Sequence, residues 1–256
     1  VRSKRYLAAA IVVVLAAAVL SAMWPRSSNT VTAAATTTST TTSIVLPSTT
    51  IPPAFPFEAA DAVGPEVALY DAPGALESAD SLPNPTIEHV QLSFLVKEHG
   101  PPGWLKVQIA RRPNESTAWI HAADVAVRGV DNRIVVEREA RQLTVYQGTS
   151  SRVLFQAPVA TGAPATPTPL GNFFVDIVVK VNRPSGAYGP YQLSVAGFSD
   201  VLQSFGGGPG QIAIHGTNHP ELIGKFVSNG CVRMNNDDVT ALADLAPVGT
   251  PVEIVA

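Results

Sequence analysis

The sequence of 256 residues predicts a mainly β protein: a membrane-targeting segment, a tether, a small β barrel, and a second β module holding one short helix. Three observations predict this. Short runs of β-branched and aromatic residues recur from Val63 to the C-terminus, separated by Gly-, Pro- and Asn-containing turns. A helical signal appears late, after Asn236. The N-terminal part up to residue 57 has no composition from which a globular core can form.

At the start, Arg2, Lys4 and Arg5 precede an apolar run from Tyr6 to Trp24. As a helix this run spans roughly 30 Å, the thickness of a hydrocarbon core. Cations before the run hold the N-terminus inside and send the remainder across. Leu20-Ser21-Ala22 is a poor A-x-A cleavage site, so residues 1–25 are read as a signal anchor in preference to a cleaved signal peptide. Both readings put the rest outside the cytoplasm, tethered at the membrane or secreted. Val1 is read as a non-ATG start. Residues 26–57 are nearly all Ser, Thr, Ala and Pro, and are expected to form a disordered linker.

Residues 58–130 carry the first β module. Its strand candidates are Val67–Tyr70, Leu92–Val96, Trp104–Ile109 and Ala118–Ile120, with turns at Ala72-Pro73-Gly74, Gly100–Gly103 and Arg112-Pro113-Asn114. Trp104 and Trp119 are expected in its core rather than stacked on sugars. Asn114-Glu115-Ser116 fits the N-glycosylation pattern, which is frequent by chance. Residues 131–256 form the second module. Arg133–Arg138 and Leu143–Tyr146 alternate in polarity as half-buried strands do. Val153–Val159, the long apolar run Phe173–Val181 and the closing Val252–Val255 follow. Asn236 is expected to cap the helix, with Asp237 and Asp238 in its first turn and Val239, Leu242 and Leu245 on one face.

Charge and composition exclude several functions. The net charge is -3, and after Arg26 only Arg111–Arg112 pairs basic residues, so nucleic acid is excluded as the main partner. The single cysteine cannot form an internal disulfide. His215, His219 and Cys231 have no fourth partner, and Pro220 argues against a helix there, so no metal site is expected. Gly206-Gly207-Gly208 lacks the Lys and Ser/Thr of a phosphate loop, and no cofactor is expected. His89, His99 and His121 have no partner pattern and read as surface residues.

The chemistry concentrates in Ile214-His215-Gly216-Thr217 and Ser228-Asn229-Gly230-Cys231-Val232-Arg233-Met234. A thiol nucleophile needs a base, because free cysteine has a pKa near 8.5. His215 can supply it. Gly230 permits a tight turn, so the N–H groups of Asn229, Gly230 and Cys231 can converge on an oxyanion. On a strand, Arg233 shares a face with Cys231, where its guanidinium can hold a carboxylate.

The combination of His-Gly-Thr with Ser-x-Gly-Cys-Val-Arg-Met, preceded by "RQLTVYQ", "FQAPVATGAPATPTPLGNFFV" and "GGGPGQIAIHGT", resembles the L,D-transpeptidase family with its YkuD-type catalytic domain. "GWLKVQIARRPNESTAWIHAADV" resembles bacterial SH3-like modules. The resemblance implies a β-sandwich-like catalytic domain acting on peptidoglycan stem peptides, with roles in wall biogenesis and cell shape. Cys231 would attack the carbonyl before the terminal D-Ala of a stem tetrapeptide. A second stem would resolve the thioester into a 3→3 crosslink. His215 would be proton donor and acceptor, Gly216 would orient it through its carbonyl, and Ser228 and Arg233 would bind substrate. Carbapenems would acylate the same thiol. Many members have His where Asn229 stands, which leaves any second-histidine role without a residue. Two alternatives keep their place: a carboxypeptidase or other hydrolase using the same thioester, and a non-catalytic wall-binding protein.

Overall fold

The computed structural model describes residues 55–256. The expected membrane helix (1–25) and nearly all of the expected linker (26–57) lie outside the described residues. Among those described, no helix is long and apolar enough to cross a membrane.

The first module is a five-stranded antiparallel sheet with a hairpin beside it. Its strands are β1 (Phe57–Ala62), β2 (Glu66–Leu69), β3 (Asp80–Pro83), β4 (Ser93–His99), β5 (Trp104–Gln108), β6 (Thr117–His121) and β7 (Val125–Val130). The order is β6-β5-β4-β1-β7, and β2 pairs with β3 apart. β1 begins at Phe57, the residue on which the linker reading ends. Leu105, Val107 and Ile120 fill the interior with Val67 and Phe94. Because side chains alternate along a strand, Trp104 and Trp119 must then point to the opposite face. Trp104 stacks there with His121 (centroids 4.1 Å apart) and meets Tyr70 edge-on at 5.0 Å, while Lys106 Nζ lies 5.8 Å from the Trp119 ring. The expected core position of the two tryptophans is thus corrected by strand parity. His121 is half-buried in this cluster rather than a surface residue.

The second module contributes β8 (Asn132–Glu137), β9 (Gln142–Gln147), β10 (Val153–Pro158), β11 (Thr161–Gly162), β12 (Gly171–Lys180), β13 (Tyr191–Phe198), β14 (Gln211–His215), β15 (Phe226–Ser228), β16 (Val232–Arg233), helix α1 (Asn236–Leu245) and β17 (Pro251–Val255). The strand order is β10-β9-β8-β17-β12-β13-β14-β16, with β11 and β15 paired apart. β12 is shared between two halves: Gly171–Phe174 pair with β17, and Val175–Lys180 pair with β13. Both halves feed one core, including Ile134, Leu143, Phe173, Leu193, Ile214 and Val239 of α1.

The apolar run in β12 has a physical cause. Phe173 and Val175 face the core of their own module, whereas Phe174 points the other way and packs with Ala196 and with Leu95 of β4. Polar bonds reinforce this seam. The Asn114 amide donates to Phe198 O and accepts from Phe198 N, both at 2.8 Å. Arg112 donates to Ser199 O and Leu202 O, each at 2.9 Å, and Gln108 donates to Asn172 O at 2.7 Å.

Candidate active site

The site is built on two neighbouring parallel strands. β14 and β16 pair with Ile214 opposite Val232 and His215 opposite Arg233. Ile214 and Val232 face the core. By alternation His215 and Arg233 face away from it, and Cys231, two residues before Arg233, shares their face. His215, Cys231 and Arg233 line one cavity of about 280 Å³, with Tyr188, Phe205, Thr217, His219 and Asn229 around them.

His215 is only 3% exposed. Its Nδ1 lies 2.6 Å from the Gly216 carbonyl, so Nδ1–H donates and Nε2 keeps its lone pair. Burial pulls the imidazole pKa down to about 4. The Gly216 carbonyl opposes that shift and the Arg233 charge adds to it. The ring is therefore a neutral base near pH 7. Tyr188, from the β12–β13 loop, lies over it with ring centroids 4.8 Å apart. Burial pushes the Cys231 thiol up, partly opposed by a backbone contact to Ala213 and by Arg233. Among the described residues no hydrogen bond joins thiol and imidazole, and burial favours the neutral form of each.

The turn before Cys231 is held from within. Gly230 adopts φ 111°, a conformation open to glycine. Ser228 is buried at 1% exposure. Its Oγ accepts from Gly230 N (3.1 Å) and donates to Cys231 O (2.5 Å). Two expectations change here. Ser228 does not line the cavity; its hydroxyl is saturated by the turn and fixes the cysteine backbone. Gly230 serves through its conformation, since its N–H is engaged by Ser228, leaving Asn229 and Cys231 as the remaining expected oxyanion donors. The Thr-Pro-rich segment buttresses the turn: Ala163 N and Thr166 Oγ1 donate to Ser228 O at 2.9 and 3.0 Å.

Arg233 lines the cavity, and its Nε is buried with no partner among the described residues. Such a donor is costly unless something accepts from it. Asn229 lies on the rim, where an amide can hydrogen-bond but not titrate.

Asn236 is the residue the sequence misassigned. The helix cap is Asn235, whose Nδ2 donates to Asp238 at 3.2 Å. Asn236 instead reaches across to β14, and its Oδ1 accepts from Thr217 N at 2.9 Å. It fits only because its neighbours are glycines: a Cβ on Gly216 or Gly189 would sit 2.4 or 2.3 Å from that oxygen. α1 thereby anchors the loop whose carbonyl holds His215. The signal available in the sequence was a second Asn adjoining the cap; only the fold shows which does which.

A cavity with a partly buried cysteine and a buried histidine on a strand edge, and an arginine able to take a carboxylate, has the parts of an acyl-transfer enzyme. The model of the L,D-transpeptidase catalytic domain (YkuD) matches residues 131–254. The chain is 40% identical over 121 residues to the putative L,D-transpeptidase YkuD of Bacillus subtilis, covering 47% of this chain and 64% of that protein. It is 36% identical over 129 residues to the putative L,D-transpeptidase YqjB of the same organism, covering 48% of this chain and 71% of that protein. An L,D-transpeptidase structure from Mycobacterium smegmatis is 19% identical, with TM-score 0.39, covering 64% of this chain and 82% of that one. The chain belongs to the L,D-transpeptidase family, an acyltransferase family of the cell wall. It spans just under two thirds of the first curated relatives it matches.

Proposed function

We propose that this protein is a peptidoglycan L,D-transpeptidase that forms 3→3 crosslinks through a thioester on Cys231. One observation carries the reading: thiol, neutral imidazole and the Arg233 guanidinium, whose Nε has no partner among the described residues, line one cavity. His215 Nε2 takes the thiol proton as sulfur attacks the carbonyl before the terminal D-Ala of a stem tetrapeptide. Backbone N–H groups of Asn229 and Cys231 stabilise the oxyanion. The imidazolium returns its proton to the leaving D-Ala amine, and the acyl group stays on sulfur. The side-chain amine of a second stem then attacks the thioester, giving up a proton to His215, and the thiol is regenerated. Arg233 holds a substrate carboxylate. The Gly216 carbonyl keeps the imidazole in the tautomer this requires.

The enzyme would work outside the cytoplasm, facing the wall and tethered through the N-terminal segment and linker. The first module, with its SH3-like sequence, would support it against the wall. A carbapenem, presenting a strained carbonyl to the same sulfur, is expected to acylate Cys231. Intact mass should show one adduct on the wild type and none on Cys231→Ala; an equal adduct on both would remove Cys231 from the reaction.

The deciding experiment is incubation with a disaccharide tetrapeptide and product analysis by mass spectrometry. Crosslinked dimer with released D-Ala, absent in Cys231→Ala, supports the transpeptidase. Tripeptide without dimer makes it a hydrolase, and no turnover with an intact fold favours a wall-binding role.

A further inference from the structure

A second cavity, of about 250 Å³, lies in the seam between the two modules. Its walls combine apolar side chains (Leu82, Ile87, Leu92 and Phe94 from the first module, Ile177 and Phe198 from the second) with polar ones, among them Gln91, Ser93 and Gln211. Two carboxylate residues line it, Asp176 within the seam and Glu88 on the exposed segment that covers it. The pairing of β12 with β13 slips between Val175 and Ile177, so Asp176 is the extra residue of a β-bulge. Bulges re-aim side chains, and this one lies where the two modules meet.

The carboxyl is unusually placed. Oδ2 accepts from Gln211 Nε2 at 2.7 Å. Oδ1 is sealed from solvent and has no partner among the described residues. No described cation forms an ion pair with it. Burial, with a smaller contribution from the like charge of Glu88 on the segment covering the cavity, raises the carboxyl pKa to about 6, against the Gln211 bond and the backbone amides of Asp176 and Ile177, which lower it. A smaller cavity of about 180 Å³ also touches Asp176, and there Arg128 is engaged by Asp61 and Val248 O. A buried carboxylate is costly unless a donor or cation meets it, and among the described residues Oδ1 has no hydrogen-bond partner.

We propose that this cavity binds an aliphatic primary ammonium, its alkyl chain against the apolar side chains and its charged head on Asp176. The site is separate from the thiol cavity, and the proposal does not depend on any role of Cys231. Two sources carry this chemistry: a free diamine, and the side chain of a diamino-acid residue in a peptide.

The test is calorimetric titration of the full chain with n-pentylamine. Saturable binding is expected at pH 7, at least tenfold weaker for the neutral isostere n-pentanol and for Asp176→Asn. A proton competes for the same carboxyl, so affinity should fall about tenfold from pH 7 to pH 5. Leu82→Trp, which fills the cavity and keeps the carboxyl, should also abolish binding. The thermal transition of each variant shows whether it is folded. Titration with 1,5-diaminopentane and with a lysine-containing stem peptide then assigns the source by which binds more tightly. Absence of saturation with pentylamine, or equal binding by pentanol or by folded Asp176→Asn, overturns the proposal.

Discussion

His215 illustrates how burial sets the working form of a base. Its pKa of about 4 lies below the ordinary 6.5. The ring is neutral above the lower value, so carbapenem acylation should keep its base until the pH approaches 4. A rate profile whose acidic limb has its midpoint near 6.5 would show that the imidazole is not held in this way. The same depression bears on stability. The unfolded chain takes up the proton first, so the contribution of neutral His215 is complete above about 6.5 and is lost as pH falls toward 4. Asn236 acts one bond further out, through Thr217 and Gly216. Asn236→Ala should slow acylation roughly ten- to hundredfold by loosening the imidazole. Asn236→Asp, which keeps an acceptor oxygen, should restore much of the rate. Equal loss in both, with an unchanged pH profile, would mean a purely structural role.

At the scale of elements, the strands were legible where only one face is buried. Ile134 and Val136 alternate with partly exposed neighbours, and β8 falls where that alternation predicts it. Parity also contained the answer for Trp104 and Trp119, since Leu105, Val107 and Ile120 claim the inner face. Short pairings such as β11 with β15 were not legible, because two or three residues carry no period. The site was half legible. His215, Cys231 and Arg233 announce themselves by type and spacing. Ser228 and Asn236 do not, because whether a small polar side chain faces substrate or its own backbone depends on turn geometry. Gly230 tests that geometry. A Cβ there would meet Ile212 at 3.5 Å, an ordinary contact, so the strain comes from φ 111° alone. Gly230→Ala should cost about 1–3 kcal/mol in chemical denaturation and misplace the thiol. A variant of wild-type stability and acylation rate would show that the turn relaxes freely.

For the whole molecule, the seam between modules makes their stability a shared property. Asp176 sits in it with a pKa raised from 3.8 to about 6. A raised carboxyl favours the folded state below the lower value and loses that contribution as pH rises through the higher one. Asp176→Asn should therefore stabilise the protein at pH 7.5, by up to ~3 kcal/mol, and have little effect near pH 4. Thermal melts at the two pH values measure this; a shift independent of pH would mean that the carboxyl is not buried in ionised form.

The seam has a consequence for how the protein can be produced. Asn114-Glu115-Ser116 fits the N-glycosylation pattern only by its spelling, and the Asn114 nitrogen rests on Phe198 O and its oxygen on Phe198 N. An oligosaccharyltransferase meeting the nascent chain would modify Asn114 before the modules close. The sugar would then stand where the Asn114 amide meets the Phe198 backbone and wedge them apart. Expression through a eukaryotic secretory route would yield an open, poorly folding product, and removing the acceptor hydroxyl with Ser116→Ala would let the seam shut.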